Sequence, residues 1–392
     1  MRFPSTLVLL VAVFNAAAQT DLTHIDSDAL QSLMDTASTS HSDAMVVYRG
    51  EKRVGAWYFG KEPEKIDASL ATMSVASLAV GLMLSKGTIP SLEAPVSSWY
   101  PQWKEGPKSE IQLRHLLNNT SGLYTDRRAD TRTNTADDFI KLALDAKMVH
   151  PVGSIFTFNG RAVNLISGIV AKATGKPLDT YLQDELFTPM GITDVEWAHD
   201  KTDTPLVMTG LKIFPEDLAR LGVLCLQQGT WQGKELIAKS WFAACFAAGS
   251  EMMPTSGLLW WRIPSSTTYV IDEQQLEAYA KAGVSPDFVK KMSSLQGRYS
   301  RRSAFFAVLK GGLGENWRAT ANDNLSGKGI RLARREYGDF FGYNANGTFG
   351  QYLVIFPEKN LVGVRMIAKS SVQDTARDSF NNFADLLRHL VP

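Results

Sequence analysis

Residues 70–81 read Leu-Ala-Thr-Met-Ser-Val-Ala-Ser-Leu-Ala-Val-Gly, and the rest of the chain is interpreted outward from this stretch. Apolar side chains recur along it and just beyond it at helical spacing, at Val75, Leu78, Ala79, Leu82 and Met83. Gly87 stands where a helix of this kind would end. The pattern therefore predicts a buried helix over residues 74–84, with Leu70 and Met73 at its start.

Strand patterns lie on both sides of the helical region. Residues 45–48 and 54–59 predict a first pair of strands, and residues 352–356 and 361–366 predict a hairpin around the turn 357–360. Strands at both ends with helices between them indicate an α/β (α+β) fold, in which an antiparallel sheet is flanked by helices and carries an inserted, mainly helical lobe.

The same patterns divide the chain into regions. The sheet lobe is expected over about residues 40–70 and 335–392, and the helical lobe over about 71–250. Residues 265–335 are expected to form an insertion or a cap over the main fold. A final amphipathic helix is predicted over residues 375–390.

Composition excludes several partner classes. The 392 residues carry 41 Lys and Arg against 40 Asp and Glu, a net charge of +1, so nothing indicates nucleic acid as a partner. No His, Cys or carboxylate spacing is typical of a metal site, and no cofactor is predicted. Cys225 and Cys245 leave two interpretations open, a disulfide or two buried free thiols.

The N-terminus has the pattern of a cleavable signal peptide over residues 1–18. Arg2 supplies positive charge, residues 7–14 are apolar, and residues 16–18 are three alanines before Gln19. The apolar run is too short to cross a bilayer, and no other segment is long and apolar enough, so no membrane span is predicted. The mature chain, residues 19–392, is expected to be a single domain that is secreted or periplasmic.

Several further stretches resemble one family when their order and spacing are taken together. They are residues 74–81, 113–117, 120–123, 161–165, 186–192 and 347–354. With them the chain resembles the β-lactamase-related serine hydrolases, the group of class C β-lactamases, penicillin-binding D-alanyl-D-alanine carboxypeptidases and related esterases. The resemblance covers nearly all of residues 19–392 and implies the β-lactamase/transpeptidase-like fold with an active site between its two lobes.

The resemblance also implies a Ser-x-x-Lys motif at a helix start, where the Lys takes the proton of the nucleophilic Ser. Here Leu70 falls at the Ser position and Met73 at the Lys position, and neither side chain can do this chemistry. A shifted alignment does not restore the motif, because no Ser in the chain stands three residues before a Lys.

Two more family motifs are altered. The Tyr and Asn of a Tyr-x-Asn motif fall on Phe158 and Gly160, so the ring is kept but the hydroxyl is lost. In a strand motif of Lys or His, any residue, then Gly, the basic position falls on Ala345 and the glycine is Gly347. At each of these positions the residue is less polar than the one the family motif has. Each replacement removes a polar group that would otherwise be buried without a partner.

These changes predict a serine-hydrolase scaffold that is catalytically impaired and acts as a secreted binding or regulatory protein, a pseudoenzyme. Its partner would be a small molecule, peptide or protein in the former cleft, whose lining is predicted to include Phe156, Asn159, Tyr343, Asn344, Asn346 and Gly347, with Trp260 and Trp261 as further candidates.

The alternative is an active esterase, amidase or β-lactamase-like enzyme with a relocated nucleophile. Ser74 is the first candidate for that role and Ser69 the second, with His115 as a conceivable base. A structural role for Ser74, as a hydroxyl bonded to backbone, remains the simpler interpretation.

Overall fold

The computed structural model describes residues 25–126, 136–326 and 328–392, and the predicted signal peptide lies outside them. The strands are β1 Ala44–Arg49, β2 Lys52–Trp57, β3 Ile66–Asp67, β4 Glu196–Trp197, β5 Leu211–Ile213, β6 Thr230–Trp231, β7 Lys234–Glu235, β8 Trp261–Pro264, β9 Thr267–Ile271, β10 Gly297–Tyr299, β11 Arg334–Tyr337, β12 Phe340–Asn346, β13 Tyr352–Phe356 and β14 Leu361–Met366. The helices are α1 Ser27–Thr39, α2 Thr72–Ser85, α3 Leu113–Leu117, α4 Phe139–Leu144, α5 Gly160–Val163, α6 Leu165–Thr174, α7 Leu178–Leu182, α8 Pro215–Leu226, α9 Lys239–Cys245, α10 Glu273–Lys281, α11 Pro286–Ser293, α12 Arg302–Leu313, α13 Trp317–Leu325, α14 Thr375–Asp378 and α15 Phe383–Arg388.

The main sheet has six strands in the order β2-β1-β14-β13-β12-β8, and every pair in it is antiparallel. Strands from both ends of the chain meet at its centre, where Ala44 of β1 lies opposite Met366 of β14. The antiparallel sheet with flanking helices that the sequence predicted is therefore confirmed.

Helices cover both faces of this sheet. Successive residues of β1 point to opposite faces, so Val46 enters the main core while Met45 and Val47 join a second cluster with α1 and α15. On the main-core side α8 packs on β1, β13 and β14. A strand covered on both faces buries all its side chains, which explains why β14 is apolar at nearly every position.

Helix α2 lies in the interior of the helical region. All residues from Thr72 to Met83 are buried, so the helix packs on every side and not along one stripe. A short 3₁₀ turn, Ser69–Ala71, precedes it and sets the direction of entry. This central position brings the start of α2 against the end of β12.

Residues 267–337 join β8 to β12 and form a separate small lobe. They contain the sheet β10-β9-β11, helices α10 to α13 and a hydrophobic cluster of their own built on Tyr279, Phe288, Met292 and Phe305.

The predicted single helix over residues 375–390 is wrong. The chain forms two short helices, α14 and α15, because Phe380 between them adopts a left-handed backbone with φ of 48° and turns its ring into the core. Elsewhere, Cys225 and Cys245 are free buried thiols. Within the described residues, no helix combines the length and apolar character that a membrane span requires.

Candidate binding site

A cavity of about 200 Å³ lies where the start of α2, the end of β12 and the segment before α5 meet. Its lining combines apolar walls with a few uncharged polar groups: Leu70, Met73, Ser74, Asn119, Phe158, Ser256, Leu259, Trp260, Trp261, Asn346 and Gly347. The structure thus brings Leu70, Met73 and Phe158 together with Asn346 and Gly347, although these residues come from three distant parts of the sequence.

The entry to α2 is held in a strained conformation. Ser69 has φ of 54°, a left-handed value that costs a non-glycine residue about 1–2 kcal/mol. Its hydroxyl donates to Thr348 Oγ1 at 3.0 Å, and its backbone N–H donates to Asp67 Oδ1 at 2.7 Å. The bond to Thr348 ties the turn before α2 to the loop after β12, and the bond to Asp67 holds the turn locally, next to Leu70. They also occupy the Ser69 hydroxyl, which does not line the cavity.

Ser74 lines the cavity, but its hydroxyl already donates a hydrogen bond within the protein. Its hydroxyl donates to the backbone carbonyl of Leu259 at 2.6 Å, in a buried setting. Leu259 is itself left-handed, with φ of 62°, and its N–H donates to the carbonyl of Leu117. The Ser74 hydroxyl therefore clamps a strained loop onto α2.

Asn119 holds the opposite wall. It too is left-handed, with φ of 59°. Its side-chain Oδ1 accepts the N–H of Asn159 at 2.9 Å, and its carbonyl accepts the N–H of Thr157 at 2.8 Å. Both bonds fix the segment that carries Phe158. Strained backbone of this kind clusters at functional sites, and Asn119 and Leu259 line this cavity while Ser69 adjoins it.

The β12 side of the cavity ends at Asn346 and Gly347. A Cβ on Gly347 would crowd Gln351 Oε1 and would lie 2.7 Å from the carbonyl oxygen of Ala68, so close packing requires glycine here. Asn346 Oδ1 is buried and has no hydrogen-bond partner among the described residues. It is therefore a buried acceptor that these residues leave unsatisfied beside the cavity.

The chemistry open to this site is restricted. Of the eleven described residues in the lining, none is titratable, so the lining supplies no general base and no fixed charge. Ser256 is the other hydroxyl in the lining, and it makes one long bond of 3.3 Å to the carbonyl of Gly257. The described residues also contain no cluster of His, Cys, Asp or Glu suited to a metal ion.

His115 is not part of this lining. Its Nδ1 accepts the backbone N–H of Gln112 at 3.0 Å and caps α3. Burial, together with the charge of Arg114, lowers the pKa of His115. Its imidazole is a capping group and does not face Ser74 from the lining.

Several residues predicted for the cleft lie elsewhere. Ala345 is fully buried in the main core, and Gly160 is the buried first residue of α5. The side chain of Asn159 caps α5, because its Oδ1 accepts the N–H of Ala162, and its Nδ2 donates to the carbonyl of Leu123. Phe156 makes an edge contact with Trp261, at 6.4 Å between ring centroids, and so stands behind the wall.

Tyr343 and Asn344 were also predicted to line the cleft, and neither lines the first cavity. Tyr343 points away from the cavity, stacks on Phe246 and lines a second cavity. Asn344 is absent from both linings, and its Oδ1 is buried without a partner. The alternation of side chains along β12 explains why neighbouring residues face different sides.

Three lining residues were not predicted: Asn119, Ser256 and Leu259. Asn119 lies beside the family-like stretch 120–123, which offered a signal. Residues 256–259 carry no motif, and they reach the site only because the loop before β8 folds back onto α2.

Comparisons with known proteins agree with this architecture. Esterase EstB of Burkholderia gladioli is 26% identical over 142 residues, covering 31% of this chain and 36% of that protein. An N-acetylmuramyl-L-alanine amidase of Bacillus subtilis is 29% identical over 140 residues, covering 31% of each. The matches therefore span about a third of the length of these relatives.

A penicillin-binding protein homologue from Caulobacter crescentus has the same fold, with a TM-score of 0.57 and 13% identity over 92% of this chain and 98% of that one. The family described as Beta-lactamase matches this sequence over residues 30–385. That match includes the sheet, the helical region and every wall of the cavity, and the chain belongs to the beta-lactamase family of serine hydrolases.

Proposed function

We propose that this protein is a non-hydrolytic member of its family, which binds a small, uncharged and largely apolar molecule in the cavity lined by Leu70 and Met73. The observation that carries the proposal is the absence of any titratable side chain among the described residues of that lining. Acyl transfer from a serine needs a base to take the hydroxyl proton, and the lining offers none.

The same lining favours ligand binding. Its walls are aromatic and aliphatic, and Ser74, Asn119, Ser256 and Asn346 are the few uncharged polar residues among them. Pockets with apolar walls and a few placed polar groups are typical of small-molecule sites. A neutral ligand suits such a lining, whereas a charged group would be desolvated without compensation.

A binding or regulatory role outside the cytoplasm completes the proposal. Its support is the N-terminal pattern of Arg2, an apolar run over residues 7–14 and three alanines before Gln19. Export can be measured by fractionating cells that express the full chain and sequencing the mature N-terminus. A chain that stays cytoplasmic with residues 1–18 attached would contradict this part.

The rival function is hydrolysis with Ser74 as nucleophile, and it is favoured by the names of the relatives, an esterase and an amidase. Against it stands the 2.6 Å bond from the Ser74 hydroxyl to the Leu259 carbonyl. A fluorescent penicillin, a cephalosporin and a panel of chromogenic esters separate the two functions when combined with intact-mass measurement.

The expected result is no turnover and no covalent adduct for the wild type. Ligand-observed NMR with small neutral phenols and anilides should instead show reversible binding, and Leu70→Trp should abolish it by filling the cavity. An adduct or turnover that disappears in Ser74→Ala would overturn the proposal. The triple variant Leu70→Ser, Met73→Lys, Phe158→Tyr tests the alignment, since returning ester hydrolysis would support it.

A further inference from the structure

A second cavity, of about 320 Å³, lies at the β8–β12 side of the main sheet and extends to the ends of α8 and α9. Cys225 and Gln228 line it at the end of α8, Phe242 and Phe246 at α9, and Arg262 and Tyr343 on the sheet. It shares no lining residue with the cavity around Leu70. The proposed function leaves it unexplained.

Arg262 is the charged group among the described residues that line this cavity. It lies directly opposite Tyr343 in the β8–β12 ladder, so the two side chains share one face of the sheet. Its Nη1 donates to the carbonyl of Pro254 at 2.6 Å, and its guanidinium lies 3.7 Å from the ring centroid of Phe340. No Asp or Glu among the described residues forms an ion pair with it.

Part of the Arg262 guanidinium lacks a hydrogen-bond partner among the described residues. Nε of Arg262 is buried and has no hydrogen-bond partner among the described residues. Burial lowers the pKa of Arg262, while the nearby Tyr343 acts in the opposite direction. Arginine stays protonated at neutral pH, so a partly desolvated positive charge remains at the cavity wall, and the part of the chain that the structure describes supplies no counter-ion for it.

Aromatic side chains supply the other walls. Tyr343 stacks on Phe246 at 4.0 Å between ring centroids with an interplanar angle of 9°, and Phe242 lies against Phe246 at 5.9 Å. The hydroxyl of Tyr343 makes no hydrogen bond to any described residue. One wall therefore carries a cation and a free hydroxyl, and the others are apolar.

We propose that this second cavity binds a small organic carboxylate with an apolar body. The carboxylate would accept from the Arg262 guanidinium and the Tyr343 hydroxyl, and the body would pack beside Phe246 and Phe242. Charge-assisted hydrogen bonds to arginine are the strong ones, and a bound anion would supply the missing counter-charge. The volume suits an acid with one aromatic ring or a short branched chain.

The test is titration of the protein at pH 7 with phenylacetate and 4-methylpentanoate, followed by protein-detected NMR. Phenylacetamide is the neutral control, since it keeps the shape and loses the charge. We expect the acids to bind and the amide to bind at least about tenfold more weakly, because a hydrogen bond to a charged group is lost.

Variants locate the site. Arg262→Gln should weaken phenylacetate binding about ten- to a hundredfold, and Tyr343→Phe about three- to tenfold. Arg335→Gln is the matched control, because Arg335 also lies over an aromatic ring, Tyr269 at 5.5 Å, but lines neither cavity. Arg262→Lys retains a charge and should retain part of the affinity if the first variant folds poorly.

The two proposals fail separately. Leu70→Trp fills the first cavity and should leave phenylacetate binding unchanged. Equal binding of acid and amide, or equal affinity in Arg262→Gln and wild type, would overturn the carboxylate site. If neither phenylacetate nor 4-methylpentanoate binds at millimolar concentration, the carboxylate site is also overturned, whatever the result at the first cavity.

Discussion

Ser74→Ala distinguishes a structural serine from a nucleophilic one by the sign of its effect on stability. In the folded protein the Ser74 hydroxyl donates to the Leu259 carbonyl at 2.6 Å, and both residues are buried. The bond joins α2 to Leu259, whose left-handed backbone conformation is unfavourable for a residue other than glycine. Removing the hydroxyl leaves the carbonyl without this donor.

The expected loss in the free energy of unfolding is about 1–3 kcal/mol, the cost of an unsatisfied buried acceptor. Ser256→Ala is the matched control, since Ser256 is equally buried and lines the same cavity. Its single bond, to the Gly257 carbonyl, is 3.3 Å long, so its removal should cost less than about 0.5 kcal/mol.

Urea unfolding followed by tryptophan fluorescence measures both variants. The midpoint should fall for Ser74→Ala while the slope with urea stays the same. A nucleophile gives the opposite pattern, because sites kept for chemistry commonly gain stability when they are replaced. Unchanged or increased stability of Ser74→Ala would refute the structural role assigned to this hydroxyl.

Three further predictions follow from other contacts. Gly347→Ala should lower the free energy of unfolding by about 1–3 kcal/mol, because its Cβ would crowd Gln351 and the Ala68 carbonyl; Gly311→Ala, in open space on α12, should raise it by about 0.5–1 kcal/mol in the same urea assay. Met73→Lys should cost about 3–5 kcal/mol at pH 7, because the ammonium would be buried with no anion in the lining, whereas Met73→Leu should cost less than about 1.5 kcal/mol. Burial would lower the folded-state pKa of that lysine, so the loss of stability should shrink as the pH rises towards the pKa of free lysine. A loss that does not depend on pH would contradict burial of the ammonium. At Asp378, burial raises the carboxyl pKa, but hydrogen bonds from Arg377, from the N–H groups of Asp374 and Gln373 and from His41 outweigh it and hold the pKa well below its usual range. Because the folded pKa lies below the unfolded one, this contribution to stability is fully present above about pH 4 and is lost as the pH falls further, so Asp378→Asn should be less stable at pH 7 and should lose less stability on acidification.

The local patterns of the chain predicted most of its elements. β13 and β14 begin and end at the predicted residues, since a hairpin depends on short-range alternation and on its own turn. The helix predicted over residues 74–84 is α2, which starts two residues earlier. The single helix over residues 375–390 was wrong because Phe380 is placed by contacts with Phe383 of α15 and Arg365 of β14, which no local pattern contains.

The site was predicted in part for the same reason. Leu70, Met73, Phe158, Asn346 and Gly347 line one cavity, whereas Ala345 and Gly160, which fall on other motif positions, do not. The sequence could not show that Asn159 spends its side chain on a cap, since that depends on Leu123 and on the start of α5. It also could not show which face of β12 carries Tyr343, because register and side-chain direction are decided by pairing with β8 and β13.

Residue identities and their spacing alone were enough to predict the family and the antiparallel sheet with its helices, and they show that no Ser stands three residues before a Lys. Only the tertiary structure decided what the altered site contains. The loop at Leu259, distant in sequence, folds back so that its carbonyl accepts a hydrogen bond from the Ser74 hydroxyl, and Asn346 Oδ1 is buried without a partner among the described residues. The second cavity is likewise a tertiary feature, because Arg262 and Tyr343 become neighbours only when β8 pairs with β12 across the inserted lobe.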